Sequence, residues 1–282
     1  MQLITRNVPA NHDIYLLGDI HRGIIAHNKK EYEAVIEKIK LQDNAFAIIM
    51  GDLIEARGLS HPYFDLDTAD PKCCLPESQY EDIKETFKII KDKIITIHEG
   101  NHDRGLSRVY GSKVRTICKD LEIPYGTFSA ITTLRDEKSK KQFYKIYTTH
   151  GNGSLKSHAG SLIRRIANKK EALQRKLKNL AADCLVMAMG HTHGLLVAEP
   201  TRRLFMVSDE RKLHQVYSKR SSRAVHIHED DRWYVNTGSF EKRDVLGVTT
   251  YAESGMFEPV EMGYAVIHGR DGDVGDIEII AV

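Results

Sequence analysis

The chain of 282 residues reads as an α/β protein, one domain built on two sheets. Three observations predict this. Five short apolar runs each close on a glycine beside Asp, Asn or His, amphipathic helical segments separate the first of these runs, and the final third of the chain is a succession of strand-like stretches. Apolar runs bounded by glycine have the form of buried strands. Helices between such strands make parallel βαβ units, whose strand ends share one edge. Ligand and catalytic groups collect at that edge.

The elements follow in order. Ile14 to Leu17 is a strand closed by Gly18-Asp19-Ile20-His21, and Tyr32, Val35, Ile36 and Ile39 recur at helical spacing after it. Phe46 to Met50 is the second strand, ending in Gly51-Asp52. Glu55 to Glu77 carries three prolines, Gly58 and several acids, and is expected to be an irregular flap beside the site. Tyr80, Ile83, Phe87 and Ile90 mark a helix that feeds Ile94 to Ile97, a strand running into Gly100-Asn101-His102-Asp103. Val114, Ile117, Cys118 and Leu121 mark another helix.

Phe128 to Leu134 and Gln142 to Thr149 flank a charged turn and predict a hairpin whose second strand ends in His150. Leu155 to Leu180 predicts one long helix with a leucine-rich face and basic flanks, a basic helical insertion around 154–181. Leu185 to Met189 is a strand ending in Gly190-His191-Thr192-His193. Strands are then expected at Arg203–Val207, Ala224–His228, Trp233–Val235, Tyr264–His268 and Gly275–Val282. His98 reads as a strand residue, and His226 with His228 as ordinary strand alternation.

Composition bounds the setting. A hydrophobic content of 41% and a charged content of 28% are ordinary for a soluble globular protein. No apolar run approaches the roughly 20 residues that span a bilayer, and the N-terminus lacks the form of a signal peptide. Four cysteines without framework spacing suit a reducing compartment, so a cytoplasmic location is expected. Net charge is +2, yet residues 156–223 hold 15 Lys or Arg against 5 Asp or Glu, a net of +10. Such clustering predicts an anionic partner, nucleic acid among them; a solvated helix face is the plainer alternative.

The strand ends collect Asp19 with His21, Asp52, Asn101 with His102, His150, and His191 with His193. Carboxylate and imidazole without thiolate suit Mn, Fe or Zn. The set is too large for one tetrahedral ion and suits two that share a carboxylate. Two ions about 3.5–4 Å apart make a clamp for in-line attack on phosphorus.

The order Asp-x-His, Gly-Asp, Gly-Asn-His-Asp, His-Gly, Gly-His-x-His resembles the calcineurin-like metallophosphoesterase superfamily, and Asn236-Thr237-Gly238-Ser239-Phe240 resembles a segment that follows those motifs in it. The resemblance implies a four-layer sandwich, two mixed β-sheets flanked by helices. It implies that Asp19, His21 and His193 hold one divalent metal ion, that Asn101, His150 and His191 hold a second, and that Asp52 bridges them. Manganese is the expected metal, with iron and zinc as alternatives. By the same resemblance the nucleophile is a metal-bridging hydroxide, His102 protonates the leaving oxygen, Glu55 orients His102, and Asp103 orients a histidine ring. The sequence departs from the protein-phosphatase branch after Asp52, which argues against that branch. Arg22, Arg57, Arg104 and His158 are candidate contacts to substrate. The expected activity is that of a phosphodiesterase or nuclease, with nucleic acid bound through the basic segment. A small-molecule phosphoesterase acting on a nucleotide or phospholipid headgroup is the alternative, and a metal-stabilised interaction module the third reading.

Overall fold

The computed structural model describes residues 1–57, 61, 64–219, 221–259 and 261–282. It is α/β, with two mixed multi-stranded sheets and six α-helices among the described residues. The strands are β1 (Gln2–Val8), β2 (His12–Leu17), β3 (Ala45–Ile49), β4 (Ile94–Ile97), β5 (Ser129–Asp136), β6 (Gln142–Thr149), β7 (Val186–Met189), β8 (Leu196–Ala198), β9 (Leu204–Ser208), β10 (Leu213–Tyr217), β11 (Trp233–Asn236), β12 (Gly263–Arg270) and β13 (Asp273–Ala281). The helices are α1 (Lys29–Leu41), α2 (Pro76–Lys88), α3 (Asn101–Tyr110), α4 (Lys113–Leu121), α5 (Leu162–Leu177) and α6 (Tyr251–Ser254). One sheet runs β13-β12-β2-β3-β4, the other β1-β5-β6-β7-β11-β8. Strands β2, β3 and β4 are mutually parallel, as are β6, β7 and β11, so each sheet delivers three strand ends to one edge.

Strand alternation divides the core. In β2, Ile14 and Leu16 join Ile48, Ile95, Tyr144, Ile146, Val186, Ala188 and Val235 in one buried cluster drawn from both sheets. The intervening Tyr15 and Leu17 pack with Tyr32, Ile36, Ile83, Phe87 and Ile117 from α1, α2 and α4. On the other sheet Tyr147, Met187 and Tyr234 face Leu173 and Leu177 of α5. A strand buried on both faces has no polar side to show, which is why β2, β3, β4 and β7 read as continuous apolar runs.

Several expectations are corrected. Residues 155–161 are not helical, and α5 begins only at Leu162. The three glycines of this approach (151, 153 and 160) are poor helix formers, and Gly151 and Gly153 hold positive φ. Leu162, Ile163 and Ile166 are exposed, so the expected apolar face is uncovered over the first turns of α5. Residues 224–228 form no strand: the Arg232 guanidinium binds the Ile227 carbonyl, and it also takes those of Lys178 and Ala181. Strands β1, β8 and β10 and helices α3 and α6 were not anticipated. The expected flap is irregular up to α2 where described, while positions 58–60, 62 and 63 lie outside the described residues.

Candidate metal centre

The loops after β2, β3, β4, β6 and β7 bring the expected ligands together. Asp19, His21, Asp52, His191 and His193 all adopt left-handed backbone, φ between 48° and 71°. Non-glycine residues rarely do so, and each instance costs of order 1–3 kcal/mol unless surrounding structure enforces it. Five instances among seven expected ligands mark a built site. Two glycines let the loops meet. A Cβ on Gly100 would lie 2.0 Å from Asp52 Oδ1, and one on Gly51, itself at φ 91°, would lie 2.6 Å from Gly100 N.

The β4 loop enters α3 at once, so Asn101, His102 and Asp103 form the first turn of a helix. Its free amides point at the site: the His102 N–H donates to Asp52 Oδ1 at 2.9 Å. A carboxylate at a helix N-terminus is favoured by the unpaired amides and the dipole.

Two groups of side chains adjoin. In the first, Asp19, His21 and His193 bring one ligand atom each within 4.8 Å of one another, with His21 Nε2 and His193 Nε2 3.2 Å apart and His193 Nε2 3.4 Å from Asp19 Oδ1. In the second, His150 Nε2 lies 3.2 Å from His191 Nδ1, 2.9 Å from Asn101 Oδ1 and 3.3 Å from Asp52 Oδ2, and His191 Nδ1 lies 2.7 Å from Asn101 Oδ1. Asp52 Oδ2 is also 3.9 Å from His21 Nε2, which places it between the groups.

These atoms are acceptors facing acceptors. His21 Nδ1–H donates to Glu55 Oε2 at 2.9 Å and His150 Nδ1–H to the Met50 carbonyl at 2.9 Å, so in each neutral ring Nε2 is a bare lone pair. With these rings neutral, lone pairs and carboxylate oxygens converge, an arrangement that calls for positive charge, supplied by protons on the rings or by metal ions between them. Two nitrogens bound to one ion at about 2.1 Å lie roughly 3.0–3.4 Å apart at square to tetrahedral angles, which fits both imidazole pairs. The buried His, Asp and Glu groups can therefore hold metal ions.

Electrostatics agree. Burial opposes a charge on His21, yet Glu241, Glu55 and Asp52 push its pKa up to about 10. Burial likewise opposes charge on His150, and Asp52 and Asp19 raise it to about 9. Burial raises the Asp52 carboxyl, but His150, His102 and His21 outweigh it and hold Asp52 far below the usual carboxylate range. The cluster recruits positive charge.

The surrounding residues take roles that differ from expectation. Glu55 Oε2 orients His21, whereas His102 Nδ1 donates to the Glu55 backbone carbonyl at 2.8 Å and lies 3.7 Å from the carboxylate. Asp103 accepts from the amides of Gly100 (2.9 Å) and Leu53 (3.2 Å) and from the Tyr80 hydroxyl, tying α3 to the β3 loop; it bonds no histidine among the described residues. Burial and the Asp52 charge push its pKa up to about 7. Arg22 is buried and clamps Asp82 at 2.6 Å together with Asp70, so it cannot grip a ligand. A guanidinium out of water must be paired. Arg57 pairs with Glu55 Oε1 at 2.7 Å and lies over the Tyr251 ring. Arg104 is exposed beside Asn101, and His158 is exposed outside any helix. His98 is buried against the Thr148 hydroxyl at 2.8 Å.

One residue escaped sequence reading. Glu241 Oε2 lies 3.4 Å from His193 Nδ1 and 4.0 Å from His21 Nε2. Its signal was position, directly after the Asn236–Phe240 segment. That segment is itself structural: Asn236 Nδ2 binds Thr192 Oγ1, the Thr237 hydroxyl donates to the Leu16 carbonyl, and the Phe240 amide donates to the Asp19 carbonyl. No family model matches the chain, and no curated protein matches it.

Proposed function

We propose that the protein is a dinuclear metal-dependent phosphoesterase of the calcineurin-like superfamily, a single domain over 1–282 that acts on phosphodiesters and is best read as a nuclease. The observation that carries this is the pair of adjoining imidazole and carboxylate groups with Asp52 between them. The succession of helices, two facing sheets and helix in the three apolar clusters supports the four-layer sandwich that the superfamily implies.

Asp19, His21 and His193 would hold one ion, Asn101, His150 and His191 the other, with Asp52 common to both. Imidazole and carboxylate suit manganese, with iron or zinc as alternatives. Bound there, the ions would supply charge neutralisation on phosphoryl oxygen and activation of water near neutral pH. The chain's own residues do the rest. His102 Nδ1–H is held by the Glu55 carbonyl, which leaves Nε2 as the atom that carries a proton to the leaving oxygen. Glu55 and Glu241 hold the rings of His21 and His193 in place. Gly51 and Gly100 bring Asp52 against the first amides of α3, and His150, His102 and His21 keep its carboxylate ionised.

A diester is favoured over a small ligand closed in by the flap. Among the described residues, the cavity between the flap and Gly23 holds about 10 Å³, room for about one water. The test is hydrolysis of labelled single- and double-stranded DNA and of bis(p-nitrophenyl) phosphate by Mn²⁺-loaded protein, with His102→Ala as the blank. Cleavage absent in the blank is expected. Inert protein under Mn²⁺, Fe²⁺ and Zn²⁺ alike overturns the reading.

A further inference from the structure

Beside Asn101 a cavity of about 520 Å³ opens along α3, lined by Asn101, Arg104, Gly105, Arg108 and Phe128. Its two guanidiniums stand at i and i+4, on one face of the helix and about 5–6 Å apart at Cβ. Unlike Arg22 and Arg57, neither has an ion pair among the described residues. The sole acid of α3, Asp103, is fully buried, so the face that carries them presents no carboxylate. Phe128, half-buried, sets its ring edge-to-face on His150 at 5.6 Å and also lines the cavity. Gly105 forms open floor, with nothing within 4 Å of where a Cβ would stand.

The helix thus begins at the metal ligands and carries unpaired positive charge outward from them, next to an aromatic ring. We propose that this groove binds a single strand of nucleic acid flanking the scissile phosphate, with Arg104 and Arg108 on successive backbone phosphates and an unpaired base stacked on Phe128. It rests on the phosphoesterase reading and assigns its substrate class. Guanidinium forks match phosphate oxygens. Aromatic faces take unpaired bases without sequence preference. The single phosphate of a mononucleotide is the one under attack, which leaves both Arg104 and Arg108 unused. The groove also differs from the basic 156–223 segment, where Lys178 pairs with Glu229, Arg165 with Glu258 and Arg203 with Asp230 and Asp231.

The experiment is fluorescence anisotropy of a labelled oligothymidylate of about twelve nucleotides, across salt concentrations, with Mn²⁺ present and in a His102→Ala background to stop turnover. Arg104→Gln with Arg108→Gln is expected to weaken binding at least tenfold at low salt and to flatten the log–log salt slope by about 1.4, at about 0.7 per phosphate contact. Gly105→Leu removes a helix-weakening glycine while filling the floor, and is expected to weaken binding about tenfold in a protein that is no less stable. Phe128→Leu is expected to lose about tenfold through stacking. Unchanged affinity and slope in these variants, or tighter binding of duplex than of single strand by the parent, overturns the proposal. Hydrolysis of bis(p-nitrophenyl) phosphate by protein with His102 intact is measured beside it. Loss of binding with that hydrolysis retained supports the groove and the phosphoesterase together. Binding that responds to the variants in a protein inert toward every diester removes the phosphoesterase reading and leaves the groove.

Discussion

Glu55→Gln isolates the electrostatic support of the centre. The substitution keeps shape and an amide oxygen that can still accept from His21 Nδ1, now at 2.9 Å from Glu55 Oε2, but removes the charge. Glu55 is buried, so its charge is little screened at His21. Burial works against a charged His21, and Glu241, Glu55 and Asp52 together overcome it; losing one of three carboxylates makes Nε2 a weaker ligand. Removing a carboxylate that orients a ligating histidine typically costs 10–100-fold in metal affinity, or about 1.4–2.8 kcal/mol. Calorimetric titration of metal-free protein with Mn²⁺ reads this directly. The stabilisation by saturating metal should shrink by the same amount, a loss of several degrees in Tm at about 2–4 °C per kcal/mol. Wild-type Mn²⁺ affinity in Glu55→Gln, beside a clear loss in Asp52→Asn, refutes the reasoning.

Other outcomes follow from the same structure. His102→Ala should lower kcat for a diester by about 10²–10⁴ while metal content, read by elemental analysis, stays at two ions; a loss of metal instead would make His102 a ligand. Chelation should abolish hydrolysis and lower Tm, both restored by Mn²⁺, and an unchanged Tm would count against metals at Asp19 and Asp52. His27 is not one of the expected ligands but adjoins them: burial pushes its pKa down to about 4, and its Nδ1–H donates to the carbonyl of Ile20, between Asp19 and His21, at 2.7 Å while Nε2 has no partner among the described residues. Its folded pKa lies below the ordinary value of about 6.5, so its contribution is complete above pH ~6.5 and is lost as pH falls toward ~4, by up to ~3 kcal/mol at 1.36 kcal/mol per unit. Denaturant unfolding of wild type and His27→Gln over that window should converge toward the acid end; parallel curves refute it. Ile48→Ala, a fully buried side chain between the two sheets, should cost about 2–5 kcal/mol in urea unfolding.

Much of this molecule was legible in the chain because period and punctuation report local physics. Strands β2, β3, β4 and β7 are buried on both faces and so are mostly apolar, and each ends where glycine permits a turn that delivers Asp, Asn or His to one edge. Amphipathic spacing marked α1, α2 and α4 for the same reason, since each has one face to bury. What sequence could not carry was the choice among partners. The stretch from Leu155 to Leu180 has heptad-like leucines, but within α5 only Leu173 and Leu177 are buried against a sheet, and the helix does not begin until Leu162. Residues 224–228 look like a strand, yet Arg232 claims the Ile227 carbonyl. Arg22, Arg57 and Arg104 are chemically alike in sequence. Only tertiary structure assigns them, burying Arg22 between Asp70 and Asp82, pairing Arg57 with Glu55, and leaving Arg104 beside Asn101 with no ion pair among the described residues. Glu241 comes within reach of His193 because the loop after β11 returns to the strand ends, a contact between residues far apart in the chain. Residue type and spacing determine which groups can arrive at an edge; long-range packing decides which of them face the ions and which only hold the others in place.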